Sequence, residues 1–179
     1  ARGLEARRNA AAACAAEANR LATQGDWDGA FAKIDEAIEL DPDGQRHLAV
    51  VKMQRLALTL DREEDAYAWG REIFEGLIRD DAALLTNLGR FLVEAPRLEP
   101  RDYDLARAAV HRALELTGDQ HPDALATLAS IEFADGRLEQ AVEMQRRALA
   151  LAEAQESNLA REFRRLLEEY EAAWNEAKP

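Results

Sequence analysis

Few side chains in this sequence are of a type that does chemistry. The histidines are His47, His111 and His121, and the only cysteine is Cys14. His47 and His111 fall on different predicted helices, so spacing gives them no common site. Asp119, His121 and Asp123 alternate over five residues and could touch a metal ion. Beside Pro122, at the start of a predicted helix, they are better placed to cap it. Cys14 sits on an alanine-rich helical face with no His or Asp at a telling spacing, the setting of a small packed residue rather than a nucleophile. One cysteine excludes an internal disulfide and a Cys-based zinc site.

Carboxylates are plentiful: Glu63-Glu64-Asp65, Asp80-Asp81, Glu168-Glu169. Adjacent residues on a helix do not share a face, so these runs read as solvated charge rather than acid–base pairs. The turn from Gly25 to Gly29 lacks the glycines and the Lys-Ser/Thr of a phosphate loop. The stretch from Asp41 to Gly44 lacks the length and closing Glu of a calcium loop. The residues thus point to no catalytic constellation, cofactor or metal, and the chain reads as a non-enzyme.

The 179 residues carry 23 Lys+Arg against 35 Asp+Glu, a net charge of −12. That balance argues against nucleic acid, whose binding rests on clustered cations. No apolar run approaches the ~20 residues of a membrane span. Arg2, Arg7 and Arg8 precede the alanine run 10–16, but the run is short and meets Glu17 and Arg20, so an opening helix is expected rather than a targeting signal. A start at Ala1 suggests a fragment or processed form. The excess of Arg over Lys (20 to 3) and of alanine suggests a GC-rich, bacterial gene. The expected compartment is the cytoplasm, or the periplasm for part of an exported protein.

The composition dictates helix. There are 37 Ala and 24 Leu, against 15 Val, Ile and Thr together. Strand formers are too scarce for a β domain, and Ala, Leu, Glu and Arg are strong helix formers. Apolar periodicity predicts helices over 4–24, 28–40, 45–60, 63–78, 82–94, 102–117, 122–135, 138–153 and 157–176. Gly25 and Gly136 are expected to stop helices in the left-handed conformation, and Asp26 and Asp102 to cap the helices that follow.

The chain also repeats itself. Superimposing Gly25 on Gly136 brings Ala30 onto Ala141, Ala37 onto Ala148 and Leu40 onto Leu151. The same spacing recurs at Ala106, Ala113 and Leu116, with a worn copy from Ala66. Each copy divides into two amphipathic helices, and such units bury their apolar faces only by stacking.

These repeats resemble the tetratricopeptide repeat (TPR), a helix–turn–helix unit of 34 residues. Repeat 1 spans 11–44, with Trp27, Ala30, Ala37 and Asp41-Pro42 in the expected places. Repeat 2, 47–80, is degenerate, with Gln54 where Gly or Ala is usual. Repeat 3, 82–120, has Leu88-Gly89, Tyr103 and Ala106, and a turn lengthened around Pro96 and Pro100. Repeat 4, 122–155, carries Leu128-Ala129, Gly136, Ala141 and Ala148. Residues 157–176 form a final amphipathic helix, with Leu159, Phe163, Leu166, Leu167, Tyr170 and Trp174 along one stripe. The resemblance implies a single all-α domain over 1–179: a right-handed α-solenoid of about four repeats with a C-terminal capping helix. Repeats 3 and 4 are also similar to TPR regions attached to bacterial thioredoxin-like proteins, although this chain has no Cys-x-x-Cys.

For function the resemblance implies a protein-interaction module whose concave groove is lined by the first helix of each repeat. Repeat position 9 gives Asn19, Arg55, Arg90 and Ser130. Position 5 gives Ala15, Val51, Thr86 and Ala126. Position 12 gives Ala22, Leu58, Val93 and Phe133. Position 13 gives Thr23, Thr59, Glu94 and Ala134, and Asn87 stands near the rim. The candidate site is therefore Asn19, Arg55, Thr59, Thr86, Asn87, Arg90, Ser130 and Phe133. Arg55 and Arg90 in equivalent places suit a partner's acidic side chain or C-terminal carboxylate. Internal pairing, for example of Arg90 with Glu94, is the alternative. Asn19 matches one place of the carboxylate clamp by which some TPR domains hold chaperone tails, but Ala15 stands where its first lysine belongs. An oligomerising segment, and an accessory part of a redox protein, are the other readings open at this point.

Overall fold

The computed structural model describes residues 2–96 and 98–178; Ala1, Pro179 and Arg97, in the lengthened turn expected in repeat 3, lie outside them. The described residues form helices and no strands, in the order α1 Arg2–Thr23, α2 Trp27–Leu40, α3 Pro42–Gln45, α4 His47–Leu58, α5 Glu63–Glu75, α6 Ala82–Glu94, α7 Tyr103–Thr117, α8 Pro122–Ala134, α9 Leu138–Ala154 and α10 Ala160–Glu176. This is an all-α, repeat-like succession of helical hairpins.

The helix ends follow local chemistry. Gly25 and Gly136 adopt φ of +80° and +76°, a conformation open to glycine at little cost. The carboxylates of Asp26, Asp81 and Asp102 accept the backbone N–H three residues on. The helix expected over 45–60 runs as α4 from His47 to Leu58, and ahead of it lies a separate turn, α3, that Pro42 opens and Asp41 caps, its side chain accepting from the Gly44 N–H. α5 stops at Glu75, ahead of Gly76, rather than at residue 78. α10 begins after a turn in which the Leu159 N–H donates to Ser157 Oγ.

The helices gather into two compact units, 1–77 and 78–179. In the first, α1 packs on α2, and α4 packs on both α2 and α5. Its core includes Ala18, Ala30, Ile34, Ala37, Met53, Ala66 and Ile73. In the second, α6 packs on α7 and α8, α7 on α8, α8 on α9, and α9 on α10. The repeat alanines Ala106, Ala113, Ala129, Ala141 and Ala148 are all fully buried.

Gly89 shows why small residues recur where helices cross. A methyl group added there would collide with Val110 and lie 3.0 Å from the Ala106 carbonyl oxygen. Close approach of α6 and α7 requires that no side chain stand between them. α7 and α8 are fastened by charge. Arg107 donates to Glu132 Oε1 at 2.8 Å and to Asp135, and the Tyr103 hydroxyl donates to the Ala134 carbonyl. Burial works against the Arg107 charge, but these hydrogen bonds outweigh it and hold the guanidinium more firmly protonated than usual.

The stripe on α10 faces inward. Phe163 and Tyr170 are buried, and Leu166, Leu167 and Trp174 pack against Ala129, Ala141, Val142 and Tyr170. Tyr170 stacks on Phe133 with ring centroids 4.3 Å apart. Buried Gln145 of α9 donates to the Phe163 carbonyl at 3.0 Å.

Candidate functional site

In the first unit, α1, α2 and α4 enclose a cleft of about 280 Å³. α1 supplies Ala15, Ala18, Asn19, Ala22 and Thr23; α2 supplies Trp27, Ala30, Phe31 and Ile34; α4 supplies Leu48, Val51 and Arg55. Six of these are residues that the repeat register placed on the groove: Ala15, Asn19, Ala22, Thr23, Val51 and Arg55. The alanines along α1 keep the cleft open, and Trp27 and Phe31, tilted with centroids 6.2 Å apart, form an aromatic end. Arg55 and Asn19 are exposed at the lip. Arg55 makes no ion pair and no side-chain hydrogen bond with any described residue, so its fork of donors is available. Thr59 and Leu58, at the end of α4, are exposed outside the cleft lining.

In the second unit, a cleft of about 210 Å³ lies among α6, α8 and the start of α10, and holds Arg90, Ser130, Glu94 and Ala126 of the expected set. Arg90 is not free. Its Nη2 donates to Asp123 Oδ1 at 2.7 Å and to Thr127 Oγ1 at 3.2 Å. The internal partner is thus Asp123, on the facing helix, rather than Glu94 one turn away. Ser130 receives the Tyr170 hydroxyl at 3.4 Å, and Phe133 is covered by the Tyr170 ring. Burial is the main cause that pushes the Tyr170 hydroxyl up, with the Ser130 hydrogen bond acting against it. Thr86 is buried and its hydroxyl donates back to the Ala82 carbonyl at 2.8 Å, so it presents no group to a ligand. Asn87 is exposed on α6 and lines neither cleft.

Asp123 and Glu162 were missed as site residues. The signal for Asp123 lay close at hand: it stands four residues before Thr127 in α8, one turn away on the same helix face, and Arg90 donates to both. Glu162 belongs to the last helix, which the sequence presents only as a cover. Lys52 was missed too. In a depression of the first unit its ammonium pairs with Asp35 at 2.7 Å and lies 4.0 Å from the centre of the Trp69 ring. No short motif announces that group, since its members come from α2, α4 and α5.

The other chemical candidates take local roles. His121 Nδ1 accepts the Ala124 N–H at 3.1 Å as the cap of α8. Asp123 is engaged by Arg90, and Asp119 faces Arg147 at 3.9 Å. Among the described residues no group of three or more His, Cys, Asp or Glu side chains is disposed to hold a metal ion. Burial, then the charge of Glu36, pushes the Cys14 thiol up, which disfavours the nucleophilic thiolate. No helix of the described residues is long and apolar enough to cross a membrane. No protein-family model and no curated protein matches the chain. What the fold and clefts define is a class: an all-α, repeat-like protein with small clefts between its helices.

Proposed function

We propose that this chain is a non-enzymatic protein-interaction module of the TPR kind, and that the cleft of the first unit holds an extended partner segment through a carboxylate. The reading rests on one observation: Arg55 stands unpaired at the lip of a cleft whose floor is alanine, valine, isoleucine and aromatic rings. Apolar walls with a few convergent polar groups are the usual make-up of a ligand cleft. Arg55 offers a planar pair of donors to a carboxylate, and Asn19 offers amide groups beside it. The floor takes small or branched apolar side chains from alternate positions of an extended segment.

The two arginines of the register do not share this role. Arg90 is neutralised by Asp123, so the carboxylate specificity belongs to Arg55. Selection from a random peptide library displayed with free C-termini, using the full chain as bait, tests the reading. Enriched peptides are expected to carry a C-terminal or acidic carboxylate next to small apolar residues. Arg55→Ala should weaken them by about 10- to 100-fold, the value of a charge-assisted hydrogen bond of ~1.5–3 kcal/mol. Enrichment of peptides without such a group, or full binding by Arg55→Ala, would contradict it.

A further inference from the structure

The cleft of the second unit has the opposite electrostatic character. One wall, from the start of α10, is apolar: Leu159, Phe163 and Leu166. Facing it are Arg90 and Glu94 from α6 and Asp123 from α8, with Glu162 of α10 at the same opening. Arg90 is the only cation among the residues lining this cleft. Its guanidinium already shows how a cationic head is held here, on the Asp123 carboxylate and the Thr127 hydroxyl. That pairing uses the charge of Asp123. Glu94 and Glu162 are left, and neither makes an ion pair or hydrogen bond with a described residue. One positive and three negative charges leave the cleft at −2.

We propose that this cleft binds a lysine or arginine side chain from an extended segment of a partner protein, the aliphatic stem lying on Leu159, Phe163 and Leu166 and the cationic head between Glu94 and Glu162. Long basic side chains combine an apolar stem with a charged tip in this way. At about 210 Å³ the cleft is below the range of drug-sized pockets and suits a single side chain. The carboxylates feel one another: partial burial holds the Glu94 carboxyl above the ordinary range, Arg90 acts against that, and the charges of Asp123 and Glu162 add to it. A bound cation relieves that repulsion. The cleft is separate from the carboxylate-binding cleft of the first unit, so either assignment can fail without the other.

The test is a titration of the isotopically labelled full chain, followed by backbone amide chemical shifts. The probes are N-acetyl-lysine methylamide, N-acetyl-arginine methylamide, the neutral N-acetyl-norleucine methylamide and N-acetyl-glutamate methylamide. The two basic probes are expected to shift the amides of Glu94, Thr127, Ser130 and Glu162 saturably, and the norleucine probe to bind about tenfold more weakly or not at all. Added salt should weaken the basic probes. Glu94→Gln with Glu162→Gln keeps shape while removing two charges, and should lower lysine-probe affinity by about tenfold or more. Equal binding by norleucine, equal binding by the double variant, preference for glutamate, or no saturable shift at these amides would each overturn the proposal. Should the double variant fold poorly, the lysine–norleucine difference in the parent decides the matter alone.

Discussion

Deleting residues 157–179 removes α10 and should damage the second unit in a measurable way. Phe163 and Tyr170 are 4% and 3% exposed in the intact chain. At ~1.5–3 kcal/mol for each large side chain taken out of water, these two contribute roughly 3–6 kcal/mol. The deletion also uncovers Ala141, Val142 and the flank of Phe133, and takes away the carbonyl that Gln145 bonds. Natural domains have only ~5–15 kcal/mol in total. For a chain of this size, ~1 kcal/mol moves the melting temperature by roughly 2–4 °C, so a fall on the order of 10–20 °C is expected. Thermal unfolding followed by circular dichroism gives the shift, and light scattering at increasing concentration shows whether the uncovered face self-associates. Arg161→Ala, on the exposed side of α10, is the control and should change the melting temperature by no more than a degree or two. A truncated chain that stays monomeric and melts with the parent would refute the packing role assigned to this helix.

Gly89→Ala should destabilise by about 1–2 kcal/mol: overpacking against Val110 and the Ala106 carbonyl costs roughly 1–3 kcal/mol, and the better helix propensity of alanine returns up to ~1. A urea midpoint equal to or above the parent's would show that α6 and α7 have room to move apart. Arg107→Met leaves Glu132, whose side chain is 8% exposed, without its main counter-charge, and should cost about 3–5 kcal/mol; adding Glu132→Gln should recover part of this, and a double variant no better than the single one would argue against charge as the cause. Glu94 titrates above its ordinary value in the folded chain, so its contribution to stability is complete below the unfolded value of ~4.3 and is lost as pH rises through the folded one. Glu94→Gln should therefore gain on the parent in urea unfolding between pH 4 and pH 7, and a parent–variant difference that does not change over that interval would contradict the assignment.

The helices were legible because alanine and leucine leave little else to form, and because glycine and capping aspartate mark the ends. Helix α6 lies over the residues that its periodicity marks, 82–94. The short turn α3 was hidden because Asp41 had to be weighed as a second cap, not only as the end of α2. Repeat spacing also led to the alanines that pack, since a small residue at a crossing follows from geometry. The groove was legible only as a register of positions. Register places Arg55 and Arg90 alike, yet one stands free and the other is held, because Asp123 and Thr127 reach Arg90 from α8. Partners from another helix, 33 and 37 residues away along the chain, leave no mark in the local pattern. Burial of Thr86 is a similar case: its hydroxyl satisfies itself on the Ala82 carbonyl, so a polar side chain there imposes no exposed face.

The claim that Arg55 and the first cleft receive a carboxylate-bearing segment is tested most directly by mapping a selected peptide on the full chain. Amide shifts are followed for the parent and for Arg55→Ala, with the same peptide bearing either a free or an amidated carboxylate. The account predicts saturable shifts at Ala15, Asn19, Ala22, Val51 and Arg55, lost on amidation and largely lost in Arg55→Ala. Shifts confined to residues 95–101 or to the exposed side of α10, unchanged by amidation, would place the partner elsewhere and contradict it.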